Sequence, residues 1–358
     1  MQTAGAFGVA LVALTALLVV LLVLTAARKA LRSAADRRRE RLEALVRPAL
    51  LQYLAAEDPD PAQLDVTGRG AGHELDMLAA GLLPKLRGED RDALTRVLSD
   101  RGTIARARRR TRRPGAVRRA RAAELLGAAG DAEALPDLRR LLVDKNADVR
   151  SAAARALGKL GDTEAVPSLL EVLDGPRTVP AGVVTMALLH MGPGASVALR
   201  VGLEPARPAP VRQVAAELLG RLGATEATDD LIHMVGADPD LQTRMAAAGA
   251  LGRLGLPRAI EPLVAVLSPG EPTPLREIAA SALGTIGGPA AIDALDETLR
   301  GAEHGLARRC AEALVGCGAT ATSRLELIAD EGGLGAAEAR AALDGVALAA
   351  YSRGRLAA

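Results

Sequence analysis

Aromatic side chains are nearly missing from this chain. Phe7, Tyr53 and Tyr351 are the only ones, and tryptophan is absent. Stacking on sugars or nucleobases relies on such rings, so carbohydrate and nucleic-acid recognition are disfavoured. Cysteine is limited to Cys310 and Cys317. On one helix they stand about two turns apart, roughly 10 Å, too far for a disulfide. No histidine adjoins them, so they form no zinc site. They read as ordinary core or cap thiols, and nothing points to an oxidising compartment. Lysine occurs only at Lys29, Lys85, Lys145 and Lys159, and arginine supplies the remaining positive charge. With the abundance of alanine, this suggests a GC-rich bacterial genome.

Reactive constellations are missing too. No serine stands in a nucleophile elbow. Gly192-Pro-Gly194 is a turn and not a phosphate-binding loop, and the four histidines fall in unrelated contexts. No catalytic residue, cofactor or metal is therefore expected, and the chain is not expected to be an enzyme.

What the chain does have is one sentence written seven times. Its clearest copy runs Asp148-Val-Arg-Ser-Ala-Ala-Ala-Arg-Ala-Leu-Gly-Lys-Leu-Gly161. The closing glycines stand at 130, 161, 192, 223, 255, 287 and 318, a period of 31 or 32 residues. So regular a period means a stack of like supersecondary units. Each unit reads as two helices. The first carries proline near its start, as in Leu135-Pro-Asp-Leu and Val166-Pro-Ser-Leu, where a missing N–H is harmless. The second is rich in alanine, with Val149, Ala153, Ala156, Leu157 and Leu160 at helical spacing. A left-handed glycine then ends it. One such hairpin cannot bury its apolar face alone, so stacking makes the core.

The pattern A-L-P-x-L … D-x-x-V-R-x-x-A-A-x-A-L-G-x-L-G resembles the short HEAT-like repeats also found in phycobilisome lyases. It covers roughly Glu89 to Asp330. The resemblance implies an all-α solenoid and says little about function, because such scaffolds host many activities. His73-Glu74 is similar to the His-Glu pairs that hold the di-iron centre of deoxyhypusine hydroxylase. That family needs several pairs and this chain has one, so the metal is not carried over.

Five segments are expected. Residues 1–3 form a short outer terminus. Residues 4–27 carry no charge and are dense in Leu, Val and Ala. At 1.5 Å per residue they reach about 36 Å, enough for a hydrocarbon core of about 30 Å. No basic region precedes this run, so a retained transmembrane helix is preferred over a cleaved signal peptide. Arg28, Lys29, Arg32, Arg37, Arg38, Arg39 and Arg41 follow it. Positive flanks stay inside, which places the N-terminus outside and the repeats in the cytoplasm, at the inner membrane. Residues 28–72 form a basic connector helix, with Pro48 as a kink or restart, and then a loop. Residues 73–330 form the solenoid. Residues 331–358 form a capping helix and a frayed tail.

Net charge is uneven: residues 28–121 carry +10 and residues 122–358 carry −8. The sharpest feature is a run of arginines from Arg101 to Arg121. It reads first as a solvated helix face with some arginines pairing the acidic loop or neighbouring repeats; within it, Arg106, Arg108, Arg109, Arg110, Arg112 and Arg113 are candidate contacts for a protein partner or for anionic lipid. No aromatic platform accompanies them, which argues against nucleic acid. A second set, Arg119, Arg150, Arg212, Arg244 and Arg276, recurs eleven residues before the closing glycine. This reads as a structural ladder pairing with acidic residues near the inter-helix turn of a neighbouring unit, for which Asp148 and Asp240 are placed. The third unit has Ala181 at that position, and the seventh has Arg308 one place later.

The function expected from these features is that of a membrane-anchored cytoplasmic adaptor that docks a protein partner. Alternatives are an accessory subunit of a membrane enzyme such as a glycosyltransferase, a HEAT-like lyase, or an adaptor that binds anionic lipid.

Overall fold

The computed structural model describes residues 40–56, 64 and 69–356, together with 22, 23, 25, 26 and 29. Among these the chain is all-helical. It divides into two compact units, one ending at Ala107 and one spanning Arg108–Ala358.

In the first unit, α1 covers residues 40–55 and runs through Pro48 without interruption. Helices α2 (Arg69–Leu82) and α3 (Gly88–Asp100) follow, with a short 3-10 turn between them. Val46, Leu50, Tyr53, Leu75, Leu94 and Leu98 supply its core.

The second unit is the repeat stack. The boundary falls within α4 (Thr103–Arg110), after which α5 (Ala116–Ala129) is the first full helix of the stack. The later hairpins are α6 (Leu135–Leu141) with α7 (Ala147–Leu160), and α8 (Val166–Glu171) with α9 (Ala181–Met191). Then come α10 (Ser196–Arg200) with α11 (Ala209–Leu222), and α12 (Thr228–Ala237) with α13 (Leu241–Leu254). The last expected pairs are α14 (Ile260–Val266) with α15 (Thr273–Ile286), and α16 (Pro289–Gly301) with α17 (His304–Gly316). One further hairpin, α18 (Ala319–Glu331) with α19 (Ala336–Leu356), packs onto α17 and closes the stack.

The closing glycines do what their spacing requires. Gly130, Gly161, Gly223 and Gly255 cap α5, α7, α11 and α13 at φ between 67 and 73°. A side chain there would meet the penalty of the left-handed region. Gly318 differs: α17 ends at Gly316, and Gly318 precedes α18.

The other glycine of each motif has a separate task. Gly127, Gly158, Gly220, Gly252 and Gly284 lie inside the second helices. A Cβ on any of them would fall 2.5 to 2.8 Å from Cα of Ala156, Ala187, Ala250, Ala282 or Ala313 in the next unit. Glycine against alanine is thus what lets successive second helices touch backbone to backbone. The third unit breaks this rule. Leu189 occupies the glycine position, and α9 packs less closely on α11 than the other neighbouring second helices pack on one another.

The expected span, 4–27, lies outside the described residues except for Leu22, Val23, Thr25 and Ala26. The structure gives it no support, since no single described helix is long and apolar enough to cross a membrane. The pair 181–191 and 193–203 reaches that length and composition only together and bends by 109°. Its residues Val184, Ala187, Leu188 and Leu199 are buried in the stack.

Candidate functional site

The arginine run separates into two groups. The first group is spent on ion pairs. In the first compact unit, Arg101 Nε and Arg106 Nη2 donate to the two oxygens of Asp76, at 2.6 and 2.7 Å. In the second, Arg108 reaches Asp131 at 2.8 Å and also bonds Glu133. Arg112 Nε donates to Asp137 at 3.0 Å. Burial pushes the Asp131 carboxyl above its ordinary range, even though Arg108 pulls it down.

The second group is Arg109, Arg110, Arg113, Arg118 and Arg121. All five are exposed and have no ion pair among the described residues. Of the six candidate contacts, Arg109, Arg110 and Arg113 therefore present free charge. Arg106, Arg108 and Arg112 do not. Arg118 and Arg121, which the candidate set omitted, extend the free surface one helix turn along α5.

The recurrent arginines sit near the start of five second helices, and all but Arg276 reach across to the next unit. Arg119 grips Asp144 with Nε and Nη2, at 2.8 and 2.9 Å. Arg212 grips Asp238 in the same way, at 2.7 Å twice, and both side chains are nearly closed to solvent. Such forked pairs are the strong form of ion pair. Arg244 bonds Glu271 at 2.8 Å and the Val235 carbonyl at 2.7 Å. Arg150 donates instead to the carbonyls of Thr178 and Asp144, and Arg276 to that of Leu267. The acceptors are thus Asp144, Asp238 and Glu271, and not Asp148 and Asp240. Asp240 is occupied in capping α13 through the Thr243 amide, at 2.8 Å. Asp148 lies exposed in the first turn of α7.

Burial alone would raise the carboxyls of Asp144 and Asp238. The arginine hydrogen bonds, and one backbone N–H each from Asn146 and Asp240, outweigh it and hold both below the ordinary carboxylate range. Glu271 is lowered chiefly by the hydrogen bond from Arg244. In the seventh unit, Arg308 is exposed and only loosely paired with Glu312, at 3.9 Å.

The second helices also present one open face. Residues six and two before each closing glycine share it: Glu124; Arg155 and Lys159; Met186 and His190; Glu217 and Arg221; Gly249 and Arg253. On it Arg155 pairs with Glu124 at 3.3 Å and Arg221 with Glu217 at 2.6 Å. On the first helices, a shallow depression is lined by Pro257, Ile260, Glu261, Val264 and Ala290. Glu261 is its one charged group. Both thiols are free. Cys310 is buried, and burial pushes it up to about 12. His73 lies in α2, and no cluster of three or more metal-ligating side chains occurs among the described residues.

Comparison with known proteins identifies the repeats. HEAT repeats match residues 104–188 and 197–277, and a PBS lyase HEAT-like repeat matches 275–301. No curated protein matches the sequence. Among solved structures, human deoxyhypusine hydroxylase in complex with glycerol is 23% identical, covering 79% of this chain and 98% of its own, at a TM-score of 0.32. The complex of CpcE and CpcF of phycocyanin lyase from Nostoc sp. is 25% identical, over 81% and 97%, at 0.27. Kap95p bound to RanGDP is 13% identical, over 82% and 49%, at 0.47. These likenesses concern the fold. Two of these proteins are nonetheless enzymes, which corrects the expectation that this chain is not one: missing catalytic motifs do not exclude catalysis on such a scaffold.

Proposed function

We propose that this protein is an adaptor held at the cytoplasmic membrane of a bacterial cell, docking a protein partner on its repeat surface. The observation that carries this reading is the open face of the second helices. It repeats from unit to unit and is mostly charged, with Met186 and Gly249 interspersed. Repeat stacks commonly use such extended faces for binding.

The anchor in this proposal is the uncharged segment 4–27, and the basic residues from Arg28 to Arg41 hold the repeats inside. Crosslinking in cells, followed by purification from detergent-solubilised membranes, tests the partner. One protein recovered in constant ratio is the expected result, and recovery of none refutes the reading. Protease added outside intact spheroplasts tests the orientation. The repeats should survive, and their digestion would reverse the topology. A membrane enzyme, including a glycosyltransferase, is one class of partner that would fit.

The free arginines support a second contact, with anionic lipid. Each basic residue near such a surface contributes about 1 kcal/mol, within a Debye length of about 8–10 Å. Liposome binding should require anionic lipid, weaken with salt, and fall in an R109S/R110S/R113S variant. Binding indifferent to all three would dismiss this contact.

A further inference from the structure

Four successive second helices end on a basic side chain at one register. Lys159, His190, Arg221 and Arg253 each stand two residues before a glycine, at 161, 192, 223 and 255. All four are exposed. Elsewhere in the series this position holds Ala128, Thr285 or Gly316. The row is therefore confined to the middle of the stack. Packed helices lie about 8–10 Å apart, so its three steps span about 24–30 Å.

Counter-charge is short along this row. Arg221 has Glu217. Arg253 has no hydrogen bond or ion pair among the described residues, and neither has Lys159. The His190 ring bonds only the Met186 carbonyl of its own helix, through Nδ1 at 2.7 Å.

Arg253 is also laid down over glycines. Its Nε is 3.2 Å from the point a Gly220 Cβ would occupy, and its terminal nitrogens are 3.8 and 3.9 Å from that of Gly249. Burial pushes its pKa down; Glu217 opposes the fall and Arg221 adds to it. One carboxylate thus serves two guanidiniums, and a further carboxylate between Arg221 and Arg253 would complete the set.

We propose that this row receives an extended acidic segment of a protein partner, lying across α7, α9, α11 and α13. The proposal rests on the adaptor reading above. In the extended polyproline II conformation, with three residues per turn and a rise of about 3.1 Å, carboxylates three residues apart share one face about 9 Å apart and match the spacing between helices. Residues 122–358 carry a net −8, so this basic row stands out in an acidic half and sets the register of its ligand. A nucleic-acid strand fits less well, because no aromatic side chain lies between Tyr53 and Tyr351 to stack a base.

The test uses the full chain in detergent and a labelled ten-residue peptide with glutamate at every third position in a Ser/Gly background. The same peptide with glutamine is the control. Fluorescence anisotropy should show binding of the glutamate peptide alone. Affinity should fall at least tenfold in R221E/R253E, fall less in R221Q/R253Q, and stay unchanged in R109S/R110S/R113S. Both substituted positions are exposed, and circular dichroism checks that the helices persist. No binding by the wild type, equal binding by R221E/R253E, or loss confined to R109S/R110S/R113S would each overturn the proposal. Crosslinking separates the two readings. A partner captured equally by wild type and R221E/R253E removes this surface but keeps the adaptor. No partner captured by wild type removes the adaptor, while the peptide still decides the row.

Discussion

Replacing Gly220 by alanine tests how the stack is held together. In an ordinary helix interior, glycine to alanine gains about 0.8–1 kcal/mol. At Gly220 the new methyl would lie 2.6 Å from Ala250 Cα and 2.7 Å from Ala250 Cβ. Carbon atoms pack at about 3.5–4.0 Å, so α11 and α13 must separate by about 1 Å. The obstacle is backbone, which no rotamer change relieves. Overpacking of this kind costs about 1–3 kcal/mol, and a backbone clash belongs at the upper end. Subtracting the helix gain leaves a net loss of about 2 kcal/mol. In a unit of this size each kcal/mol shifts Tm by about 2–4 °C, so thermal melting should drop by about 4–8 °C. Gly236 in α12 is the control, because a Cβ there meets nothing within 4 Å. Gly236→Ala should hold or raise Tm. If Gly220→Ala matched or exceeded the wild type, the backbone-contact account of the stack would be wrong.

Three further outcomes follow from the buried ion pairs and thiols. Asp238→Ala leaves the Arg212 guanidinium buried without a counter-charge, which costs about 3–5 kcal/mol and should appear as a large fall in the urea midpoint. Acid should unfold the stack along a limb set by Asp144, Asp238 and Glu271. Their folded pKa values are depressed, so their contribution is complete above the unfolded values near pH 4 and is lost as pH falls through the folded ones. Asp131, pushed up by burial, acts in the opposite sense. Urea midpoints between pH 2 and pH 6 check this, and Asp238→Asn should flatten the limb. In a Cys317→Ser variant at pH 8, Cys310 should resist thiol reagents until urea is added, because a pKa of about 12 leaves only about one thiolate in ten thousand. Rapid labelling of the native protein would contradict its burial.

The parts legible in the sequence are those governed by rules within one unit. A left-handed glycine after Leu-Gly-x-Leu ends a helix wherever it occurs, and proline near a first turn starts one. The ends of α7, α11 and α13 follow from the glycine alone, and the start of α11 from its proline. What escaped was set between units. Arg119, Arg212 and Arg244 reach carboxylates 25 to 27 residues away, in the neighbouring unit. Sequence proximity suggested Asp148 and Asp240, but the first turn of a helix claims a nearby aspartate for itself. Some arginines of the run were expected to pair with neighbouring repeats, but the sequence does not say which. Arg106, Arg108 and Arg112 look free in one dimension, and each meets an aspartate 23 to 30 residues distant once the helices stack.

The two glycines of the motif show why the period was easier to read than the packing. The closing glycine is needed by its own backbone. The inner glycine is needed by the next unit's alanine, so its role appears only when the neighbour is in place. Leu189 then acquires a meaning that its place in the third unit did not reveal. A side chain stands there where Gly158 and Gly220 allow close approach on either side, and α9 and α11 pack less closely than their neighbours do. The basic row crosses this same junction, between His190 and Arg221. An acidic segment bound along it would bridge the place where the helix-to-helix contact is weakest. Binding and local stability at that junction should therefore be coupled: a ligand that contacts both sides binds the folded arrangement and stabilises it in proportion to its concentration. Protection from hydrogen exchange in α9 and α11 should rise when the glutamate peptide is added. Protection that rose only in α13, or nowhere, would show that the row does not act across the gap.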